Sequence, residues 1–382
     1  MAPTEPTSAN ASTSARAAAD QTAGRLLLGP GPSPVAPRVM HAMQRPVLSH
    51  LDPDMMAILD DMRARLRRLF KADEGAFAFA VSGTGTAGME TAVANLARPG
   101  ARAIAVVTGY FGDRLAQMLE RHGAQVSRVT VEWGRACDPA QLEHALAGGA
   151  DLVTMVHAET STGVLNPVAE MCRAARAAGA RTIVDAVTSF GAHPVDAAAW
   201  GADVVYSCSQ KGLGAPSGLA PVMFTAEAIA GLKAAGSRRS FYLDLGLLQD
   251  YWIDRKYHHT ISAPLIHALH EALVAVEEEG LEPRWERHRV NHLALVDALG
   301  SIGLELLPPP AERLWSLNAV KVPEGVDEAA VRKGLLQQFG IEIGAGLGPL
   351  AGKIWRVGLM GSGSTSANVS ILTDALRTLL RR

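Results

Sequence analysis

The sequence has few cysteines, almost no net charge and no long apolar run, and each of these absences excludes a class of protein. The three cysteines, Cys137, Cys172 and Cys208, are widely spaced and form no CxxC pair. They suit a reducing compartment without a disulfide framework or a structural zinc site. The formal net charge of −2 gives no reason to expect nucleic acid or a membrane surface as a partner. No run approaches the roughly 18 apolar residues that span a bilayer.

The composition indicates a soluble globular protein, since 48% of the residues are hydrophobic and 19% are charged. A chain of 382 residues exceeds one compact core of ordinary size, so two lobes are expected. The first 24 residues are rich in Ala, Ser and Thr and lack the apolar segment of a signal peptide. We predict a flexible arm there and a cytoplasmic location. Organelle targeting remains an alternative, which Glu5 and Asp20 disfavour.

Short apolar runs alternate with helical stretches between residues 54 and 209. This alternation is typical of a mostly parallel sheet covered by helices on both faces, and it predicts an α/β fold. The stretches 112–123 and 168–179 each end in a glycine, as helices often do. The runs predicted to form strands are AFAFAVS, ARAIAVVT, QVSRVTV, DLVTMVH, ARTIVDAV and ADVVYSCS.

The pattern changes from about residue 265. A long helical stretch at 263–280 leads into a segment with short strands of its own, SLNAVKV and KIWRVGLM. We therefore divide the chain into a flexible arm at 1–24, a large domain at 25–277 and a smaller α+β domain at 278–382.

The segment VSGTGTAGME, residues 81–90, joins a predicted strand to a predicted helix. Its glycines let the backbone approach a ligand, and the free N–H groups of the helix start favour an anion such as phosphate. A tight turn without a ligand is the alternative. The segment is neither a Walker loop nor a dinucleotide-binding GxGxxG fingerprint.

Two charged side chains follow other predicted strands, where ligands bind in open α/β sheets. Asp185 ends the run IVD, and a buried carboxylate there needs a cation or a donor. Lys211 follows ADVVYSCSQ, where desolvation would lower the pKa of its amine and make it nucleophilic. The alternatives are a capping or surface acid at 185 and a solvent-exposed lysine at 211.

A polar cluster, HAETSTGVLNP, follows a further strand at 157–167. His157 and Glu159 suggest a metal, but no third ligand stands at a useful spacing, so a structural role is favoured. A phosphate loop, an aspartate and then a lysine is the order that pyridoxal 5′-phosphate enzymes need. There the loop binds the phosphate, the aspartate pairs with the ring nitrogen and the lysine holds the aldehyde.

Long motifs carry a resemblance to the class V aminotransferases, in particular to alanine–glyoxylate and serine–glyoxylate aminotransferases. The motifs are LLLGPGPS, SGTGTAGME, ETSTGV, VDAVTSFG, SQKGLGAPSG, FYLDL, YHHTISAP and GLGPLAGKIWRVGLMG. The resemblance implies fold type I, in which a large domain with a mostly parallel seven-stranded sheet between helices precedes a smaller α+β domain. It also implies a pyridoxal-phosphate enzyme.

The resemblance implies catalytic roles for Lys211, as Schiff-base lysine and proton carrier, and for Asp185, as partner of the pyridine nitrogen. Val187 and Phe111 would contact the two ring faces, and Thr160 would donate to the ring hydroxyl. The implied phosphate ligands are Thr84, Gly85, Thr86 and Gln210.

Further roles concern the partner subunit and the substrate. Tyr257 and Thr260 resemble residues that reach the phosphate from the neighbouring subunit, which implies a homodimer with shared active sites. Arg356, with Gly31 nearby, would bind the carboxylate of the substrate. The sequence departs from some relatives in having Phe111 and Thr86, in place of tryptophan and histidine.

The expected reaction moves the amino group of alanine, or next of serine, to glyoxylate, giving pyruvate or hydroxypyruvate and glycine. Other donors in the superfamily, ureidoglycine and pyridoxamine, remain alternatives. A cysteine desulfurase is disfavoured because Cys208 lies on a buried strand and Cys137 and Cys172 in or beside helices. A non-catalytic protein that binds a phosphorylated ligand would leave Asp185, Lys211 and Arg356 unexplained.

Overall fold

The computed structural model describes residues 24–235 and 240–381. The predicted arm, apart from Gly24, therefore lies outside the described residues. Within these ranges no helix has both the length and the apolar character needed to cross a membrane.

Seven strands form the main sheet, in the order β2-β10-β9-β8-β5-β3-β4. Strand β10 runs antiparallel to β2 and β9, and the other neighbours are parallel. The predicted α/β fold with a mostly parallel seven-stranded sheet is confirmed. The strands are β2 Phe77–Ser82, β3 Arg102–Val107, β4 Gln125–Thr130, β5 Leu152–Val156, β8 Arg181–Asp185, β9 Val204–Tyr206 and β10 Leu219–Phe224.

Helices cover the sheet because their apolar residues recur at helical spacing. In the second helix, Met55, Leu59, Met62, Leu66 and Leu69 are all buried. The helices α1 to α13 of the described ranges are Pro37–Ala42, Pro53–Leu69, Gly85–Leu96, Tyr110–Arg121, Pro139–Leu146, Val168–Ala177, Ala197–Trp200, Ala226–Ala235, Leu245–Trp252, Ala263–Glu279, Leu281–Ser301, Glu328–Phe339 and Ser366–Leu380.

A second apolar cluster forms around a smaller sheet near the C-terminus, of order β11-β14-β13. Leu28, from the start of the chain, belongs to this cluster, because β1 pairs with β12. The predicted boundary at residue 278 falls inside α10, and the division into domains stays a prediction. The remaining strands are β1 Leu26–Leu27, β6 Ala158–Glu159, β7 Val164–Leu165, β11 Leu317–Lys321, β12 Ile341–Glu342, β13 Gly344–Ala345 and β14 Ile354–Gly358.

The parallel strands determine where a ligand can bind. The strands β3, β5, β8 and β9 run in the same direction, so the segments that follow them lie at one edge of the sheet. Strand β2, which reaches the same edge, is antiparallel to β10 and leads directly into α3. The loops of this edge carry the segments singled out in the sequence.

Candidate active site

One cavity, of about 170 Å³, lies at the carboxyl edge of the main sheet. It is reached by the segments that follow β2, β3, β8 and β9, which are far apart in the chain. Eight residues predicted for the cofactor site line it, together with Met89 and Arg114. The predicted eight are Thr84, Gly85, Thr86, Phe111, Asp185, Val187, Gln210 and Lys211.

Lys211 is buried, and its Nζ donates a hydrogen bond to the carbonyl oxygen of Pro30. Gly31 packs against the lysine with φ of +114°, and a Cβ there would lie 2.7 Å from Cδ and Cε of Lys211. The pKa of Lys211 is lowered to about 8, chiefly by burial and in smaller part by the charge of Arg356, while Cys208 and Asp185 oppose the shift. The absence of a side chain at 31 therefore lets the lysine lie beneath the N-terminal segment.

The lowered pKa of Lys211 predicts when its amine reacts. About half of the amine is neutral at pH 8, and the neutral fraction falls about tenfold for each pH unit below that. We expect reductive methylation of Lys211 in the cofactor-free protein to rise steeply up to about pH 8 and to level off above it, as measured by peptide mass spectrometry. The exposed Lys256 reports the pH dependence of the reagent itself. A rise that occurs only near pH 10.5 would contradict the prediction.

Asp185 lies at the end of β8 and is 2% exposed. Its Oδ1 accepts a hydrogen bond from the N–H of Val187 at 2.8 Å, and its Oδ2 accepts one from Oη of Tyr206 at 2.6 Å. Burial raises the pKa of Asp185 to about 6, and these two hydrogen bonds oppose the shift. A carboxylate buried in this way is stabilised by a nearby cation, which fits a protonated ring nitrogen.

Neutral groups line the cavity at the start of α3, among them backbone donors. Thr84 is the N-cap residue, and the N–H groups of Gly85 and Thr86 donate to no described residue. A Cβ at Gly85 would lie 3.3 Å from Cγ2 of Val187, so the backbone approaches closely here. Gln210 also lines the cavity, and its Oε1, an acceptor, is buried without a partner among the described residues. The group of this side chain that can donate to a phosphate is the Nε2 of the same amide. This cradle of free N–H groups and hydroxyls fits the predicted phosphate group.

Thr160 and Arg356 lie beside the cavity and contact each other. The Oγ1 atoms of Thr160 and Thr188 form a hydrogen bond, and Nη1 of Arg356 donates to the carbonyl oxygen of Thr160 at 3.4 Å. Nε of Arg356 donates to the carbonyl oxygen of Ala345 at 2.6 Å. Burial lowers the pKa of Arg356 to about 10, so the guanidinium stays charged at neutral pH.

His157 and Glu159 have separate structural surroundings. Nδ1 of His157 contacts Oγ of Ser189 at 2.9 Å, and its ring packs edge-on against Trp200. Glu159 is fully buried and accepts hydrogen bonds from Oγ of Ser161 at 2.6 Å and from the N–H of Gly112 at 3.2 Å. Through these hydrogen bonds Glu159 connects the polar segment after β5 with the start of α4, the helix that contains Phe111.

Tyr257 and Thr260 do not line the cavity. Both are exposed, Tyr257 by 63%, and the tyrosine ring lies 5.1 Å from that of His50. Their neighbour His259 contacts Oγ of Ser82 at 2.9 Å, two residues before Thr84. Their assignment to the neighbouring subunit stays a prediction.

Sequence reasoning missed three residues around the cavity: Met89, Arg114 and Tyr206. The sequence does contain an indication for Arg114, because it stands three residues after Phe111. In a helix this spacing places both side chains on the same face. Tyr206 lies in the run ADVVYSCS, which was interpreted as a strand without a role for its tyrosine.

Comparisons with known proteins agree on one family. The family model described as aminotransferase class V matches residues 25–359. The chain is 36% identical to the (S)-ureidoglycine–glyoxylate transaminase of Bacillus subtilis, with 94% of this chain and 91% of that protein covered. It is 37% identical to the alanine–glyoxylate aminotransferase of Oryctolagus cuniculus, with 94% and 93% covered. The solved alanine–glyoxylate aminotransferase of Nostoc sp. has a TM-score of 0.92 at 43% identity, with 94% and 95% covered.

Proposed function

The chain belongs to the class V aminotransferases, with pyridoxal 5′-phosphate as its cofactor, and we propose that it transfers the amino group of a small amino acid to glyoxylate. Alanine is the preferred donor and serine the next, so that pyruvate or hydroxypyruvate and glycine are the products. Relatives named for the alanine–glyoxylate and the ureidoglycine–glyoxylate reactions are about equally similar to the chain. Identity to relatives therefore does not choose the donor, and the choice of alanine depends on the motifs FYLDL, YHHTI and GLGP, which resemble the alanine–glyoxylate branch.

The observation that carries the proposal is the buried, charged Arg356 beside Thr160. Two of its N–H groups donate to backbone carbonyls. Its positive charge also lowers the pKa of Lys211 by electrostatic repulsion. A guanidinium has five N–H donors in a planar fork, so further donors remain for a carboxylate. We propose that Arg356 binds the α-carboxylate of the substrate, with Gly31 leaving space beside Lys211.

The cofactor, when bound, supplies an electron sink for the electron pair left on the α-carbon of the substrate. We propose that Asp185 holds its ring nitrogen protonated, while Val187 and Phe111 contact its ring faces. Thr160 would donate to its ring hydroxyl. The phosphate ligands are proposed to be Thr84, Gly85, Thr86 and Gln210.

Lys211 is the proposed base of the reaction. Its Nζ, once neutral, can accept the proton that leaves the α-carbon of the substrate. The resulting ammonium group can donate that proton again at a later stage of the amino transfer. A pKa of about 8 gives a sizeable neutral fraction at neutral pH and still allows the amine to carry the proton. The same amine is the proposed point of covalent attachment for the cofactor.

A homodimer is part of the proposal. Tyr257 and Thr260 are exposed and do not line the cavity of their own chain. Exposed large apolar side chains, among them Phe241 and Val47, are consistent with a covered surface. We propose that Tyr257 and Thr260 complete the phosphate site of the partner subunit.

A donor comparison tests the function. With glyoxylate as acceptor, we expect kcat/KM to be highest for alanine and next for serine, with one glycine formed for each pyruvate or hydroxypyruvate. The measurement is steady-state assay of the 2-oxo acid product, with glycine quantified by chromatography. Ureidoglycine and pyridoxamine are the comparison donors. A higher kcat/KM for either would overturn the donor assignment and leave the family and the cofactor unchanged.

Desulfurase activity is disfavoured by the state of the cysteines. Cys137, Cys172 and Cys208 are all buried, and burial raises the pKa of each thiol, to about 11 for Cys137 and to about 12 for the other two. A nucleophilic cysteine requires an accessible thiolate. These thiols therefore suit core packing.

A further inference from the structure

The proposed phosphate ligands leave a charge uncompensated. Thr84, Gly85, Thr86 and Gln210 are all neutral, whereas a phosphate group carries about −1.5 to −2 charges at neutral pH. The N-terminus of α3 adds the equivalent of about half a positive charge. A full positive charge beside a partly buried anion of this size would offset part of its lost hydration.

We propose that Arg114 is the cationic partner of the cofactor phosphate, an inference that rests on the cofactor site proposed above. Among the described residues that line the cavity, the cationic side chains are Arg114 and Lys211. Lys211 is the proposed base and the proposed point of attachment of the cofactor, so its amine is not available to the phosphate. Arg114 is therefore the group available for the phosphate.

The geometry of Arg114 supports this role. Its Nη1 lies 3.4 Å from Oγ1 of Thr86, a proposed phosphate ligand. Its guanidinium carbon lies 5.1 Å from the ring centroids of both Tyr110 and Phe111, contacts that fix the side chain against α4. The helix thus presents an aromatic ring and a guanidinium, one turn apart, to the same cavity.

Arg114 also lacks a competing anion. No carboxylate of the described residues lies within ion-pair distance of it, while the adjacent Asp113 pairs with Arg128. A half-buried arginine that stacks on two rings without an acidic partner retains free N–H donors for an incoming anion. Those donors fit the oxygens of a phosphate in a bidentate manner.

Two other roles for Arg114 would be possible in the same place. It could bind the distal carboxylate of a dicarboxylic substrate, which would contradict the preference for small acids. It could also only hold Phe111 by stacking. The three roles differ in which ligand loses affinity when the charge is removed.

The experiment compares pyridoxal 5′-phosphate with pyridoxal, which lacks the phosphate, as ligands of the cofactor-free full-length protein. Binding is followed by the absorbance of the bound ligand. We expect Arg114→Gln to raise the Kd of pyridoxal 5′-phosphate by about 10- to 100-fold and to leave that of pyridoxal within about twofold. Inorganic phosphate should compete less well with pyridoxal 5′-phosphate in this variant. Arg114→Lys should restore part of the affinity.

Arg121→Gln is the matched control, because Arg121 ends the same helix and is exposed. It should change neither Kd. Equal losses for both ligands in Arg114→Gln would overturn the proposal in favour of stacking. An unchanged Kd for pyridoxal 5′-phosphate with a raised KM for aspartate or glutamate would overturn it in favour of a substrate role. If the wild-type protein itself does not prefer the phosphorylated ligand, the proposed phosphate site fails as a whole.

Discussion

Replacing Lys211 by alanine is expected to lower the rate of amino transfer by about 10⁴-fold or more, the upper range for loss of a positioned general base. Borohydride treatment should no longer attach the cofactor covalently, because the amine at the centre of the site is gone. The rate is measured in single turnover with alanine, and the attachment by mass spectrometry of the reduced protein.

The fold should survive this change. Among the described residues the side chain of Lys211 donates one hydrogen bond, to the carbonyl oxygen of Pro30, and its burial costs hydration whenever the amine is charged. The melting temperature of the cofactor-free variant should therefore stay close to that of the wild type. Lys256→Ala, at an exposed lysine, is the matched control and should retain full activity. Covalent trapping of the cofactor in Lys211→Ala would contradict the assignment.

The main sheet could be predicted from the sequence because most of its strands are short, apolar and separated by helices. Strand β10 was missed, and Pro221 within the run LAPVMF gives the reason, since proline disfavours a central strand. In the structure, β10 lies between β2 and β9, and the carbonyl oxygen of Pro221 accepts a hydrogen bond from the N–H of Ser207. Such accommodation depends on the register of neighbouring strands, which sequence periodicity does not contain.

The candidate site could be predicted where a polar residue ends a buried strand, as Asp185 ends β8. The other residues of the site could not be predicted, because their role depends on the direction in which their side chains point. Met89 and Arg114 lie on helices, and only the packing of α3 and α4 determines which of their side chains face the cavity. Tyr206 lies within a buried strand, where a tyrosine is usually interpreted as core. The hydrogen bond from its hydroxyl to Asp185 depends on the pairing of β8 with β9, which places the two residues side by side.

Replacing Arg356 by glutamine is expected to lower kcat/KM for alanine by about 100- to 1,000-fold, equivalent to about 3–4 kcal/mol, as for truncating one partner of a buried charge pair. Most of the loss should appear in KM, because a carboxylate is bound in the ground state and the transition state alike. Arg356→Lys keeps the charge but loses the planar fork, so its loss should be smaller. Both constants are measured with saturating glyoxylate.

The location of Arg356 makes the test specific. It lies on β14, between β11 and β13, and its guanidinium reaches from this smaller sheet to the carbonyl oxygen of Thr160 beside the cavity of the main sheet. Arg128→Gln, at a surface arginine paired with Asp113 and Glu120, is the matched control and should leave KM unchanged. Removing the charge at 356 should also raise the pKa of Lys211, because the two cations repel each other. A raised KM without that shift would mean that Arg356 binds substrate but lies too far from Lys211 to influence its proton.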